Sequence, residues 1–416
     1  MGLLDLWYGG PSAPAPLIVF FFQFAIAASI LGLFFGFTTL ISRTLNAPSK
    51  QPTGWHTIDY DANKINRKPL HDYMNPSGGT VIPDTTPMVK FSVATANFGG
   101  IFTEDMGFTR PWVGTVSPDA ARLQVEAGAR AIVFDIWPDP ADLSRPIIAS
   151  MLDMSRTSTT MNRWYADWGL NRGVGRYSNW QRLTRNSVPV GEVIGAATTA
   201  AFDGVSNPQA GDPFFLILNL HGAMTIPYLN YLGNAVTTAI SGHAMGPEWN
   251  KANGQAQLCS EPVSSFMNKA FVIVCPDVQP GYNILPNVNT WSDFATSFLQ
   301  NTQLGQITNA LEKGPYTIKF DPSNTAPLTV ANQANCVTGG PPITPPSAGF
   351  CLIQPSIGGK NTDNETLFNN PTYDECLSTG AQFVAVNLFT SKDDDPTLRK
   401  FFDPAQFGTY SFKKGA

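Results

Sequence analysis

The chain has 416 residues, a formal net charge of −5 and only 14% charged residues. That length suits one large domain with appendages, and the excess of acid over base excludes the clustered positive footprint of a nucleic-acid binder. Hydrophobic residues make up 43%, enough for a packed interior, while Gly 36 and Pro 34 announce many turns and long loops.

Residues 1–16 form a short N-terminal segment whose one charged side chain is Asp5. The run from Leu17 to Ile41 (LIVFFFQFAIAASILGLFFGFTTLI) carries no charge. As a helix it would extend about 37 Å, more than a hydrocarbon core of about 30 Å. A secretory signal would need a basic flank and a shorter apolar run. Residues 17–41 therefore read as a transmembrane helix, with the lipid bilayer as its partner. Arg43, Lys50, Lys64, Arg67 and Lys68 follow the run and no basic residue precedes it. The positive-inside rule then places the large domain on the cytosolic side, as a single-pass protein. Gly2 invites a myristoylation reading, which Leu6 weakens because that motif wants Ser or Thr there.

Residues 42–87 are polar, rich in Pro, Asn and Asp, and without period; they read as an extended tether draped over the following domain. From residue 88 onward the pattern changes. MVKFSVAT, ARAIVFDIW, FFLILNL, AFVIVC and AQFVAVNLFT are short apolar runs rich in Val, Ile and Phe, with helical stretches at Pro118–Ala127 and Val190–Ala201 between them. Fully apolar strands alternating with helices point to an α/β domain built on a mainly parallel sheet buried on both faces. Over this length a closed barrel is expected. Three stretches interrupt the alternation, at 156–186, 235–262 and 321–371, and no internal repeat is visible.

The five cysteines (Cys259, Cys275, Cys336, Cys351 and Cys376) are odd in number and form no CxxC pair, so neither a zinc site nor a complete disulfide framework is expected. Reduced thiols agree with the cytosolic assignment.

The last strand-like segment, NNPTYDECLSTGAQFVAVNLFT at 369–390, resembles a segment of the phosphoinositide-specific phospholipase C catalytic barrel, with Gly380, Gln382, Val384, Ala385, Asn387 and Thr390 in place. FGTYSFKK at 407–414 resembles that family's closing strand, LQVEAGARAIVFDIWPD its helix and strand ending Glu-x-Asp-x-Trp, and DPFFLILNLH the strand that precedes an Asn-His pair. The resemblance covers 88–416 and implies a TIM-type (β/α) barrel with insertions at the three interrupting stretches.

It also implies where a site would lie. The family uses two histidines for acid–base work and Asn, Glu, Asp and Glu to hold calcium. Carried across, the first histidine falls on Ala96 beside Asn97, the Glu-x-Asp pair on Val133 and Asp135, the second histidine near Ser150, and the later Glu on Asn219. Such chemistry needs a base that titrates near neutral pH and hard oxygen ligands. At Ala96, Val133, Ser150 and Asn219 those types are gone, leaving Asn97, Asp135 and His221 as a vestigial site. The expected protein is a pseudoenzyme without cofactor or metal. Of the four histidines, His56 and His71 lie in the tether, and His221 and His243 remain. A hydrogen-bonded structural role is the default for His221.

Between 156 and 186, Arg163, Trp164, Trp168, Arg172, Arg176, Tyr177, Trp180 and Arg182 interleave cations with aromatics. Three readings stay open: an anionic membrane surface, a protein interface, or an excursion packed on its own barrel. The leading functional expectation is a membrane-anchored, non-catalytic barrel with a structural or interaction role. Low charge with abundant Asn, Thr and Pro suits a minor capsid-associated protein of a large membrane-containing DNA virus, in contact with other structural proteins of the particle. The alternatives are an active phosphodiesterase and a lipid-headgroup receptor. The anchor has a direct check: the full chain should stay in the membrane pellet through carbonate and high-salt washes, because its retention is hydrophobic rather than electrostatic. Extraction by carbonate would remove the anchor.

Overall fold

The computed structural model describes residues 23–33, 69–70, 83, 85–88, 91–103, 114–153, 180–182, 184–222, 225–246, 261–276, 294–295, 318–320, 351–354, 370, 382–389 and 412–414. The chain divides into two units, Met1–Pro48 and Ser49–Ala416. In the first, residues 23–33 are helical and exposed, Phe24, Ile30 and Leu33 among them, and Ser29 Oγ donates to the Ala25 carbonyl (2.8 Å). Among the described residues no helix is long and apolar enough to cross a membrane. The expected span, 17–41, runs past the described helix at both ends.

In the second unit the apolar runs become strands where their β-branched and aromatic content expects them. In chain order they begin with β1 (Phe91–Ala96), β2 (Ile101–Thr103), β3 (Gly114–Val116), α1 (Pro118–Glu126), β4 (Ala131–Asp139), β5 (Asp142–Ile148) and β6 (Met151–Asp153). There follow β7 (Trp180–Arg182), β8 (Val188–Pro189), α2 (Val190–Phe202), β9 (Phe214–Leu220) and α3 (Ile226–Ala239). The last are a 3₁₀ turn (Val263–Phe266), β10 (Ala270–Pro276), β11 (Phe294–Ala295), β12 (Ile318–Phe320), β13 (Cys351–Ile353), β14 (Phe383–Val386) and β15 (Phe412–Lys414). Local chemistry marks two of the helix starts. Ser117 caps α1 by accepting from Asp119 N (3.2 Å) with Pro118 in the first turn, and Thr225 caps α3 by accepting from Tyr228 N (3.3 Å).

The main sheet runs β11-β10-β9-β4-β1-β14-β13-β12, and each neighbouring pair on that path is parallel. This is the order of a (β/α) barrel: each strand lies beside its predecessor and β14 returns to β1. The path nevertheless has two ends, at β11 and β12. Among the described residues the sheet is thus a half-barrel, and the closure expected between its two edges falls on residues outside them. β15 pairs antiparallel with the first half of β1, and β5 folds back antiparallel on β4.

Pleat alternation divides the strand side chains into two cores. Ala94, Ala96, Ile132, Phe134, Leu216, Leu218, Val272 and Val386 face the helices and pack on Val125, Val193, Ile194 and Leu229. Phe91, Val93, Ala131, Val133, Phe215, Ile217, Phe271, Ile273, Leu352, Phe383 and Ala385 fill the lumen. Phe215 stacks on Phe271 (4.6 Å between ring centroids) and meets Phe383 edge-on (5.1 Å). Leu70, Met88, Val263 and Phe266 join the same core. Leu70 N also donates to Asp212 Oδ1 (2.8 Å), so the described part of the 42–87 segment packs into the barrel.

Residues 235–239, at the start of the 235–262 interruption, belong to α3, with Val236 buried in the helix-facing core. β13 lies inside the 321–371 stretch; three residues carry too little period to stand out from flanking Pro, Gly and Asn.

Arg130, at the start of β4, is a fully buried cation. It donates to the carbonyls of Ala201 (3.0 Å), Asp212 (2.5 Å) and Pro213 (3.3 Å), tying the end of α2 to the entry of β9. The rings of Phe202 and Phe214 lie 5.8 and 5.3 Å from its guanidinium carbon. Burial pushes its pKa down to about 10 against the opposing pull of Asp212, so it stays charged at neutral pH. Replacing it leaves buried acceptors without donors. Arg130→Met should cost about 2–4 kcal/mol in chemical denaturation. Arg130→Lys should recover little of that loss, because an ammonium cannot present a planar fork to three carbonyls.

Candidate functional site

The lumen changes character along its length. Its inward-facing residues are apolar at the N-terminal ends of the strands and polar at the C-terminal ends. On β4 the inward series runs Ala131, Val133, Asp135, Trp137, and on β9 it runs Phe215, Ile217, Asn219, continuing to His221. Asp135 and Asn219 are register partners across these two strands. Asn97 follows β1, where its backbone N donates to Val386 O (2.8 Å), and Gln354 follows β13. The polar end is thus the C-terminal mouth, where barrel enzymes carry their chemistry.

Asn97, Asp135, Asn219 and Gln354 are buried there, at 1%, 6%, 0% and 3% exposure, and they join into one chain. His221 Nε2 lies 3.1 Å from Asp135 Oδ1, and Asn219 Nδ2 donates to the same oxygen at 3.0 Å. Asn219 Nδ2 also donates to Gln354 Oε1 (2.8 Å), and Gln354 Nε2 donates to Asn97 Oδ1 (2.9 Å). An ionised carboxylate only accepts, so Asp135 sets the orientation of every amide and puts a proton on His221 Nε2. The imidazole stacks on Trp137 at 4.2 Å with 12° between the planes.

The turn after Asn97 is held by its own clamp. Phe98 and Gly100 have φ of 51° and 75°, a conformation costly for phenylalanine. Gln124 of α1 spans it: its Oε1 accepts from Gly100 N (3.1 Å) and its Nε2 donates to the carbonyls of Asn97 (3.0 Å) and Phe98 (3.2 Å). A Cβ at Gly99 would collide with Phe134 and Ile132, so that position requires glycine. Ser150 is buried just past β5, beside the site, through Ala149 N on Asp135 O (3.4 Å). Among the described residues the Asn97 Nδ2, Ser150 Oγ and Asn219 Oδ1 atoms have no hydrogen-bond partner.

The structure brings Asn97, Asp135, Asn219 and His221 together. Val133 faces the lumen one step below Asp135, as an apolar residue. Ala96 packs in the helix-facing core instead, because alternation turns it away from Asn97. Arg163, Trp164, Trp168, Arg172, Arg176 and Tyr177 lie outside the described residues. Trp180 is in β7, opposite Asp153. Arg182 is 9% exposed and donates to Arg185 O (3.4 Å); burial pushes its guanidinium below the ordinary value while Asp139 opposes that. Gln354 and Gln124 were not read from the sequence. The alternation Leu352-x-Gln354 was the available signal for the first.

The family implied by the resemblance holds calcium, which takes six to eight hard oxygen ligands. Among the described residues the donor set falls short of that number. Asp135 Oδ1 is committed to Asn219 and His221, Asn97 Oδ1 to Gln354, and Asn219 presents its NH₂ group to its neighbours. Among the described residues no three His, Cys, Asp or Glu side chains cluster as a metal site would require.

No family model matches the sequence, and no curated protein matches it. Solved structures do match in fold. PLC21 of L. pealei is similar with a TM-score of 0.50 and 11% identity, over 84% of this chain and 39% of that one. PLC21 of S. officinalis gives 0.46 and 11%, over 91% and 43%. A calcium-dependent phosphoinositol-specific phospholipase C from a Gram-negative bacterium, Pseudomonas sp., gives 0.45 and 10%, over 80% and 97%. The chain therefore spans about two fifths of the first two proteins. The likeness is one of fold: a mixed α/β barrel of the phosphoinositide-specific phospholipase C type, open in its described part.

The direction of the mouth network is testable through its carboxylate. Asp135→Asn replaces an acceptor by a group that also donates, so either a donor–donor contact forms or the amides must flip. The variant should lose about 1–3 kcal/mol in urea denaturation. Unchanged stability would show that Asp135 does not orient the chain.

Proposed function

We propose that this protein is a membrane-anchored, non-catalytic barrel of phospholipase C-like form, serving as a structural or interaction module. The observation that supports it is the chemistry of the mouth. Three of the four side chains in the buried chain Asn97–Gln354–Asn219–Asp135 are carboxamides, which neither take nor give a proton near neutral pH. Inositol phosphodiester cleavage needs a base for the attacking hydroxyl and an acid for the leaving oxygen, each worth about 10² to 10⁴ in rate. Among the described residues His221 is the one imidazole at the mouth, already turned toward Asp135 and stacked on Trp137. A scaffold role then rests on the apolar run at 17–41 for the bilayer and the Arg/Trp/Tyr stretch at 156–186 for other structural proteins. The weakly charged, Asn-, Thr- and Pro-rich composition supports a place among the minor capsid-associated proteins of a large membrane-containing DNA virus.

The purified full chain in mild detergent should release no inositol phosphate above a buffer blank, with or without calcium. Turnover that disappears in His221→Gln would overturn the non-catalytic reading. A second reading is favoured by Asn97 Nδ2, Asn219 Oδ1 and Ser150 Oγ, buried and without partners among the described residues. Such groups suit a headgroup receptor that binds without turnover. Saturable heat on titration with an inositol phosphate, in the absence of product, would select that reading.

A further inference from the structure

Gln354 and Asn219 do not meet along the barrel wall. In sheet order β13 and β9 are separated by β14, β1 and β4, so their side chains touch only by crossing the lumen. The contact is complementary at both ends of one planar group. Asn219 Nδ2 donates to Gln354 Oε1 (2.8 Å), and Gln354 Nε2 donates to Asn97 Oδ1 (2.9 Å). All three residues are buried. Below them Phe215 of β9 meets Phe383 of β14, also across the lumen. The two braces thus join the arm carrying β9 to the arm carrying β13 and β14, and those arms end at β11 and β12 without pairing to each other among the described residues. The sequence helps to aim the upper brace. Gln354 precedes a proline in sequence, a position that favours extended backbone, and the alternation Leu352-x-Gln354 puts it on the lumen side.

We propose that Asn97 and Asn219 form a receptor for a primary carboxamide, and that Gln354 is its internal ligand, locking β9 to β13 across the lumen and filling the receptor against other small molecules. The pair offers one acceptor and one donor at the spacing of an amide, and a carboxylate in the same place would set its oxygen against Asn97 Oδ1. Polarity is imposed from outside the receptor, since Asp135 obliges Asn219 to present NH₂ toward its neighbours. This assignment goes beyond the absence of turnover and stands whether or not the chain cleaves phosphodiesters, because its readout is thermal stability.

The test uses the full chain in mild detergent. Gln354→Ala removes the carboxamide and the methylene next to it, a volume that acetamide replaces. The variant should melt below wild type, and acetamide should recover most of the loss saturably while leaving wild type unchanged. Acetate and N,N-dimethylacetamide should fail, the first for want of a donor and the second because its nitrogen carries no hydrogen. Equal shifts on both proteins, or equal recovery by dimethylacetamide, would overturn the receptor. Should Gln354→Ala not fold, Gln354→Met decides, since it keeps the length without the polar atoms. A melting temperature below wild type supports the lock, and one equal to wild type overturns it.

Discussion

An ionised carboxylate accepts hydrogen bonds and donates none, and the mouth of this barrel is organised around that asymmetry. Asp135 takes a bond from Asn219 and another from His221. Asn219 must therefore point its NH₂ inward, Gln354 must answer with its oxygen, and the Gln354 NH₂ is left to reach Asn97. One inward carboxylate thus orders side chains drawn from four strands or strand ends. Burial raises the stakes, because an amide turned the wrong way would bury two like groups against each other at a cost of about 1–3 kcal/mol.

The apolar half of the lumen makes this arrangement tolerable. Phe91, Phe215, Phe271 and Phe383 fill the base, and Val93, Val133, Ile217, Ile273 and Leu352 the middle. The layering resembles the filled interior of closed barrels, in which side chains from different strands stack rather than line a pore. Across that interior, Gln354 meets Asn219 and Phe215 meets Phe383, joining strands that are not neighbours in the sheet. Outside the sheet, Arg130 does the equivalent work at the opposite end, collecting carbonyls that no ladder bond can reach.

The barrel mouth is furnished mainly with amides, held by the strand ends and by the turns that follow them. Loops and appendages accept change more readily than strands do. Gln124 shows how firmly the mouth is built: it holds the turn at Phe98–Gly100 through both ends of one amide. That turn positions Asn97, and through it the far end of the carboxamide chain.

Much of the wall was legible because its strands are buried on both faces. FFLILNL, AFVIVC and AIVFDIW are apolar through their length, and such runs have few alternatives to a parallel sheet covered by helices. Asp135, Asn219 and His221 were also legible, as polar residues at the C-terminal ends of those runs. The direction in which a side chain points was harder to read, and Ala96 shows why. It neighbours Asn97 in sequence, yet the pleat sends it to the helix-facing core. Gln354 stayed hidden because β13 is three residues long and lies amid Pro-, Gly- and Asn-rich sequence. By itself the sequence determined the apolar runs, their parallel order and the carboxylate and amides they carry, since these follow from burial and period along a single strand. Only the tertiary structure decided that Gln354 crosses the lumen to Asn219, because that contact joins strands four places apart in the sheet and 135 residues apart in the chain, where no local pattern reaches.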